Sequence, residues 1–278
     1  MSKGLALVTG AASGMGKASA KALQEAGYDL LLCDLNEKLL GETAAELSGG
    51  AVETLPMDVT AADLAERLGK ALDGRKLAAL VHCAGISPTM SDSRRIMEVN
   101  LGGTIRVMDA MEDHAADNAA IVLIASNSGH MVGAVIDKEI DAALAANDHM
   151  SLLRYADNVE TVSYALSKRG VMVLTRREAI RKGKRGIRVN SISPGIIDTP
   201  MGNQEMSQQE RMQPMIDQSP VQRMGQPSEI GAVARFLCSP QASFMTGSDV
   251  LVDGGEMTAG FAIPVAGKAH AGSDGWSD

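Results

Sequence analysis

Six short apolar runs recur along the chain: LALVT (5–9), DLLLC (29–33), LAALVHC (77–83), AAIVLIAS (119–126), GIRVNSIS (186–193) and SDVLVDGG (248–255). Each is continuous rather than alternating, so both faces of the strand it forms must be covered. That is the pattern of a parallel sheet flanked by helices. A weaker strand is expected near AVETLPM (51–57). Strand–helix alternation at this spacing implies right-handed βαβ units and a doubly wound, Rossmann-like α/β sheet of about seven strands. No repeat and no Pro- or Ser-rich linker divides the core, so residues 1–255 are expected to form one domain. Residues 256–278, rich in Gly, Ala and Ser, read as an arm or disordered tail.

Composition narrows the function classes. Hydrophobic residues make up 45% and charged residues 22% of the chain, which excludes disorder as the main state. A formal net charge of −8 argues against nucleic-acid or anionic-membrane surfaces, which reward clustered Lys and Arg. The one basic cluster, TRREAIRKGKRG (175–186), reads as the solvated end of a helix, where cations suit the dipole. No apolar run approaches the ~20 residues needed to span a bilayer, and MSKGLALVTG lacks the apolar core of a signal peptide. Cys33, Cys83 and Cys238 have no metal-like spacing and sit in apolar contexts, as reduced buried thiols do. The five histidines show no ligand spacing either, so no metal is expected. These readings describe a soluble cytoplasmic protein.

Residues 130–160 are too long for an ordinary connection, and within them Ile136, Ile140 and Leu144 fall four apart, as in a small amphipathic helix. LALVTGAASGMGKASAKAL is strand, glycine turn, helix, with Gly10, Gly14 and Gly16 spaced G-x-x-x-G-x-G. Glycines there let backbone approach a pyrophosphate, and the helix start offers N–H groups and a positive dipole end. Asp34 follows Gly16 by 18 residues, close to the ~20 expected of a carboxylate that accepts from an adenosine ribose. That carboxylate would repel a 2′-phosphate, and neither Leu35 nor Ser13 offers a cation to receive one, so NAD is favoured over NADP. In YALSK (164–168), Tyr164 and Lys168 share one helix face. A tyrosine pKa near 10 makes a poor base, but an adjacent ammonium favours the phenolate.

In this order the motifs resemble the short-chain dehydrogenase/reductase family over roughly residues 3–255. TGAASGMG, with Gly10, Ser13, Gly14, Met15 and Gly16, is similar to the family's cofactor turn. The resemblance implies that Asp58 and Val59 of MDVT meet the adenine, and that Cys83, Ala84 and Gly85 of CAG also face the cofactor. Pro194, Gly195, Ile197 and Thr199 of SPGIIDTPM would hold the nicotinamide. It implies catalytic roles for Asn100 of EVNLGG, Ser126 of IASNSG, Tyr164 and Lys168. Tyr164 would move the proton as general acid/base and Ser126 would donate to the substrate oxygen. Lys168 would hold the nicotinamide ribose, and Asn100 a water linking the lysine to solvent. Ser128 is the rival to Ser126, which lies at the strand end three before Gly129. His82 reads as a satisfied core residue, and His130 is close enough in sequence to Ser126 to line the pocket.

Three departures stand out. Cys83 replaces the family's usual asparagine, the stretch from Gly85 to Asn100 is short, and the gap from Ser126 to Tyr164 is long. In these the chain resembles the branch containing bacterial 3α-hydroxysteroid dehydrogenase/carbonyl reductase and coniferyl-alcohol dehydrogenase. The short and long segments also alter surfaces many family members use for tetramers, leaving homodimer and homotetramer both open. Residues 200–225 form the expected substrate loop, and its five methionines suit an irregular apolar ligand, though any one could be core filler. The 130–160 insertion could add a second apolar wall. A small hydrophobic secondary alcohol or ketone, steroid-like or aromatic, is the expected substrate. A silent dinucleotide sensor or scaffold, and a reductase of other carbonyls such as 3-oxoacyl thioesters, are the alternatives.

Overall fold

The computed structural model describes residues 2–210 and 212–259. Seven parallel strands form one sheet in the order β3-β2-β1-β4-β5-β6-β7. They are β1 (Leu5–Thr9), β2 (Asp29–Asp34), β3 (Val52–Pro56), β4 (Leu77–His82), β5 (Ala115–Ile124), β6 (Arg188–Pro194) and β7 (Asp249–Val252). Every apolar run, the weak one included, is therefore a strand. The continuity of those runs has its expected cause: successive residues feed opposite layers. Leu7, Leu31, Leu80 and Ile121 pack on one face of the sheet, and Val8, Leu32, Val81 and Val122 on the other.

Helices cover both layers. α1 (Gly14–Glu25) and α2 (Glu37–Glu46) lead into α3 (Leu64–Leu72), where Leu64, Leu68 and Leu72 put one buried stripe on the sheet. α4 (Ser93–Met97) passes through a π-helical turn (Glu98–Gly102) into α5 (Gly103–His114). After β5 come α6 (Asn127–Val132), α7 (Asp137–Ala145) and the long α8 (Glu160–Lys182). α9 (Pro200–Gln208), α10 (Met212–Gln218) and α11 (Pro227–Leu237) precede β7. α3, α5 and α8 supply the first layer, while α1, α2 and α11 supply the second. Among the described residues no helix is long and apolar enough to cross a membrane.

Four expectations need correction. The basic end of α8 is only in part the solvated cap expected: Arg176, Arg177, Arg181 and Lys184 are exposed, but Lys182 is buried, bonded to Glu112 of α5 and 3.5 Å from Glu178. Arg185 reaches Asp117 at 2.9 Å. Periodicity within one helix cannot register acids that arrive from another. The insertion does contain the expected amphipathic helix, α7, with Ile136 and Ile140 buried. Yet α7 is held to α8, with Asp137 bonded to Arg169 at 2.7 Å and Arg176 at 2.7 Å, so that of residues 130–160 only Met131, ahead of α7, lines the cavity beside Tyr164. His130 turns to Asp249, 2.7 Å away, and does not line that pocket. The tail begins in a 3-10 turn, Glu256–Ala259, whose Glu256 is buried. The rest of the expected tail, 260–278, lies outside the described residues.

Candidate active site

β2 and β3 lie on one side of β1, and β5 to β7 lie beyond β4. Connections leaving the C-terminal ends of β1 and β4 therefore diverge and open a crevice, where doubly wound sheets take their ligands. Gly10 follows β1 with φ +66°, and a Cβ there would come 2.8 Å from the Ala84 nitrogen. A Cβ on Gly16 would lie 2.0 Å from the Gly10 carbonyl oxygen, so only glycine lets α1 start this close to the turn. Ser13 is the N-cap of α1, but its hydroxyl makes no cap bond. The turn borders a cavity of about 310 Å³.

At the far end of that cavity, Asp34 Oδ2 accepts from Ala12 N at 3.0 Å and Oδ1 accepts from Asn36 N at 2.9 Å. The carboxylate is thus fixed with lone pairs to spare. Leu35, Asp58, Val59, Ala84 and Gly85 complete the wall. Burial pushes the Asp58 carboxyl up, but hydrogen bonds from Thr60 and Arg95 carry it below the ordinary range.

A second cavity of about 390 Å³ adjoins the first and shares Met15, Cys83, Gly85 and Thr199 with it. Ser126, Tyr164, Lys168, Pro194, Gly195 and Ile197 line it. Every expected cofactor or catalytic residue thus faces one of two joined cavities, with one exception. Asn100 sits in the π turn and lines neither. Its Oδ1 accepts from Ile86 N at 2.8 Å, and its Nδ2 donates to Ile86 O at 3.0 Å and Ser167 Oγ at 3.3 Å. It ties the segment after β4 to α8, and a Cβ on Gly85 would lie 3.1 Å from Asn100 Oδ1 and 3.4 Å from Lys168 Nζ.

Tyr164 and Lys168 do share a face. Lys168 Nζ lies 5.7 Å from the Tyr164 ring centre and donates to the Ile124 carbonyl at 3.0 Å, at the end of β5. Ser126 follows that strand. Its Oγ accepts from Ser128 N at 3.2 Å, capping α6, and from the Ser128 hydroxyl at 3.0 Å. The rival serine therefore supports Ser126.

Protonation departs from the sequence expectation. Burial pushes the Tyr164 phenol up, Glu205 adds to the effect, and a hydrogen bond with Ser126 opposes it. Burial also pulls Lys168 down to about 8. An ammonium that is itself desolvated and tied to a carbonyl is a weaker lever on the phenol than helical spacing suggests, so in the chain alone burial wins. Burial likewise pushes the Cys83 thiol up to about 12, which keeps it neutral where the two cavities meet. His82 is the satisfied core residue expected, bonded to Thr9 at 2.7 Å and Thr104 at 3.1 Å.

Sequence reasoning missed Asn127, Glu205 and Glu256, all of which line the second cavity. An acid within a Met-rich loop was a usable signal for Glu205. Glu256 had none, because the Gly- and Ala-rich residues after it read as tail. Of the five loop methionines, Met201, Met212 and Met215 face the cavity, and Met206 and Met224 do not.

The glycine turn at the switch point and the Tyr–Lys helix beside it define a Rossmann-like protein with two adjoining ligand cavities. Residues 4–137 match the family described as short chain dehydrogenase, and residues 143–256 match that described as enoyl-(acyl carrier protein) reductase. Galactitol 2-dehydrogenase (L-tagatose-forming) of Cereibacter sphaeroides is 31% identical, over 90% of this chain and 93% of that one. The 3-alpha-hydroxysteroid dehydrogenase/carbonyl reductase of Comamonas testosteroni is 29% identical, over 90% and 95%. A solved short-chain dehydrogenase/reductase (glucose/ribitol dehydrogenase) from Brucella melitensis superposes with a TM-score of 0.72 at 32% identity, covering 91% of this chain and 96% of its own. The chain belongs to the short-chain dehydrogenase/reductase family. It is an oxidoreductase of a family that uses nicotinamide cofactors and small-molecule substrates.

Proposed function

We propose that the protein is a cytoplasmic NAD-dependent oxidoreductase that transfers hydride between the cofactor and a hydrophobic secondary alcohol or ketone, hydroxysteroid-like or aromatic. One observation carries the reading: Tyr164 and Lys168 face a cavity continuous in its lining with the glycine-turn cavity that ends at Asp34. The glycine cradle, in which a Cβ on Gly16 would meet backbone at 2.0 Å, fits a pyrophosphate, and Asp34 fits a ribose diol. Asp34 and its uncharged neighbour Leu35 favour NAD, since a 2′-phosphate would meet a carboxylate. Pro194, Gly195, Ile197 and Thr199 flank the nicotinamide position in this reading. When bound, the cofactor supplies the hydride acceptor or donor.

The chain's own residues handle the proton and the oxygen. Tyr164, held neutral by burial, donates to the carbonyl oxygen in reduction, and in oxidation it must first lose its proton. Ser126 Oγ, steadied by Ser128, donates to the same oxygen. Lys168 contributes positive charge below about pH 8 and anchors the ribose. Asn100 keeps Ile86 and Ser167 in place around that lysine. The Met-lined wall supports an apolar substrate, and Glu205 and Glu256 in the same cavity disfavour anionic ones. Leu251 of the edge strand β7 and Phe244 in the segment leading into it, both exposed, support a homodimer or homotetramer.

The test is absorbance at the reduced-nicotinamide band with NAD or NADP across sterols and aryl alcohols, with Tyr164→Phe as control. Turnover confined to small charged hydroxy acids, or equal turnover by the Phe variant, sinks the reading.

A further inference from the structure

Residues 130–160 supply only Met131 to the tyrosine cavity, so the rest of this insertion needs another use. Two of its side chains reach the elements that carry Lys168 and Asn100. Asp137, at the start of α7, accepts from both Nε and Nη2 of Arg169 at 2.7 and 2.9 Å. Arg169 is buried and stands one residue past Lys168 on α8. In the 3-10 turn His149–Tyr155, His149 Nε2 donates to Glu98 Oε2 at 3.1 Å. Arg106 of α5 takes the other oxygen of Glu98 at 2.7 Å. Glu98 opens the π turn that contains Asn100. A Cβ on Gly102 would fall 2.7 Å from His149 Nε2, so the glycine closing that turn is what admits the imidazole.

Between these two holds the insertion buries Ile136, Ile140, Leu152 and Ala156 in the layer that also contains Leu101 and Leu166. The two elements it grips are themselves interlocked. A Cβ on Gly170 would meet the Leu101 side chain at 2.6 Å, and Asn100 Nδ2 donates to Ser167 Oγ at 3.3 Å. The π-helix is a rare geometry, seen mostly as single turns inside α-helices, so this one draws support from outside its own backbone. Charge-assisted bonds are directional, and a buried pair is harmful when half-made, which suits such pairs to fixing a position.

We propose that the insertion is a brace, in which Asp137 and His149 are positioning residues that hold α8 and the π turn together from outside and so keep Lys168 and Asn100 in place. Neither Asp137 nor His149 lines either cavity, so they act through the elements they grip. The effect on turnover rests on the hydride-transfer reading, but the hold on Lys168 does not. Lys168 is faced by Tyr164 on its own helix, by His82 and Cys83 at the end of β4 and by Glu205 on α9. Burial is the largest influence on it and pulls it down to about 8. Water admitted by a loosened brace raises it again.

The test compares wild type, Asp137→Asn, His149→Ala and the double variant. Asp141→Asn is the control, because Asp141 sits on the same insertion but pairs at 3.1 Å with the exposed Arg177. Turnover is followed at the reduced-nicotinamide band, and Lys168 is titrated directly by NMR of isotope-labelled lysine, assigned with Lys168→Arg. Each single variant should lower kcat by about fivefold and the double by about 100-fold, as for reacting groups displaced by ~1 Å, with dinucleotide KM within about threefold. In the double variant Lys168 should titrate well above about 8, toward the ordinary lysine value of about 10.4. Thermal transitions check folding. Where the double variant does not fold, Asp137→Leu with Arg169→Met removes one hold without stranding a charge, and is read the same way. An unmoved Lys168 titration, or equal losses in Asp141→Asn, overturns the brace. A Lys168 titration that moves, in a protein that turns over no alcohol with NAD or NADP, supports the brace and overturns the hydride-transfer reading instead.

Discussion

The two cavities at the switch point are built in opposite ways. The glycine-turn cavity takes its turn, Gly10, Ser13, Gly14, Met15 and Gly16, from one contiguous stretch and Asp34 from the next strand, while Asp58, Val59, Ala84 and Gly85 close its wall. At the turn its shape is set by backbone, with glycines at 10 and 16 fixed by distances of 2.8 and 2.0 Å to neighbouring main chain. The tyrosine cavity gathers Ser126, Tyr164, Ile197, Met215 and Glu256 from scattered parts of the chain. Its character lies in side chains, and burial rather than spacing sets their protonation. A local backbone device tolerates almost no change in volume at its tightest points, whereas a convergent side-chain site can be altered residue by residue.

The largest expected effect falls on the tyrosine side. Tyr164→Phe should lower turnover by about 1,000-fold, within the range for loss of a general acid/base, while calorimetry finds dinucleotide affinity within about threefold of wild type. Equal loss of both would erase the distinction between the cavities. On the glycine side Gly16→Ala should weaken dinucleotide binding by about 100-fold, since overpacking against immovable backbone costs up to about 3 kcal/mol. Normal affinity in that variant would break the backbone account.

Asp34→Asn, which keeps shape and removes charge, should cost about tenfold in NAD affinity and narrow the preference over NADP. An unchanged ratio of the two affinities would remove Asp34 from cofactor choice. The remaining effect is on stability rather than on binding or turnover. The folded pKa of Glu256 stands above its ordinary value, so its contribution is fully present below about pH 4.5 and is lost as pH rises through about 7. Glu256→Gln does not titrate, and should match wild type near pH 4 but exceed it by about 3 kcal/mol at pH 8 in denaturant unfolding. A constant difference across that range would argue against the raised pKa.

The same contrast explains what could be read without coordinates. Continuous apolar runs marked six of the seven strands because a two-faced sheet leaves no polar face to alternate, and only the partly exposed β3 at the sheet edge read weakly. The glycine turn and Asp34 were legible because their geometry is nearly contained in their own sequence. Tyr164, Lys168 and Ser126 were found through the family resemblance and the i,i+4 spacing, and the structure gathers them on one cavity. Lys182 and Glu256 were misplaced for one reason: each is buried by partners distant in sequence, Glu112 for the first and Asn127 with Ile196 for the second. Tyr164 was placed correctly but its protonation was not, because spacing reveals a neighbouring cation and conceals the loss of water around both groups.

The π turn at Glu98–Gly102 makes residue count a property of the site. A wide turn accommodates one more residue than the α-helical path, and excising any single residue there would let the helix heal. Each residue of an α-helix turns the axis by about 100°, so healing would swing Asn100 off Ile86 and Ser167 while every strand stayed in place. A one-codon deletion at this position would accordingly disarm the lysine's surroundings without unfolding the protein.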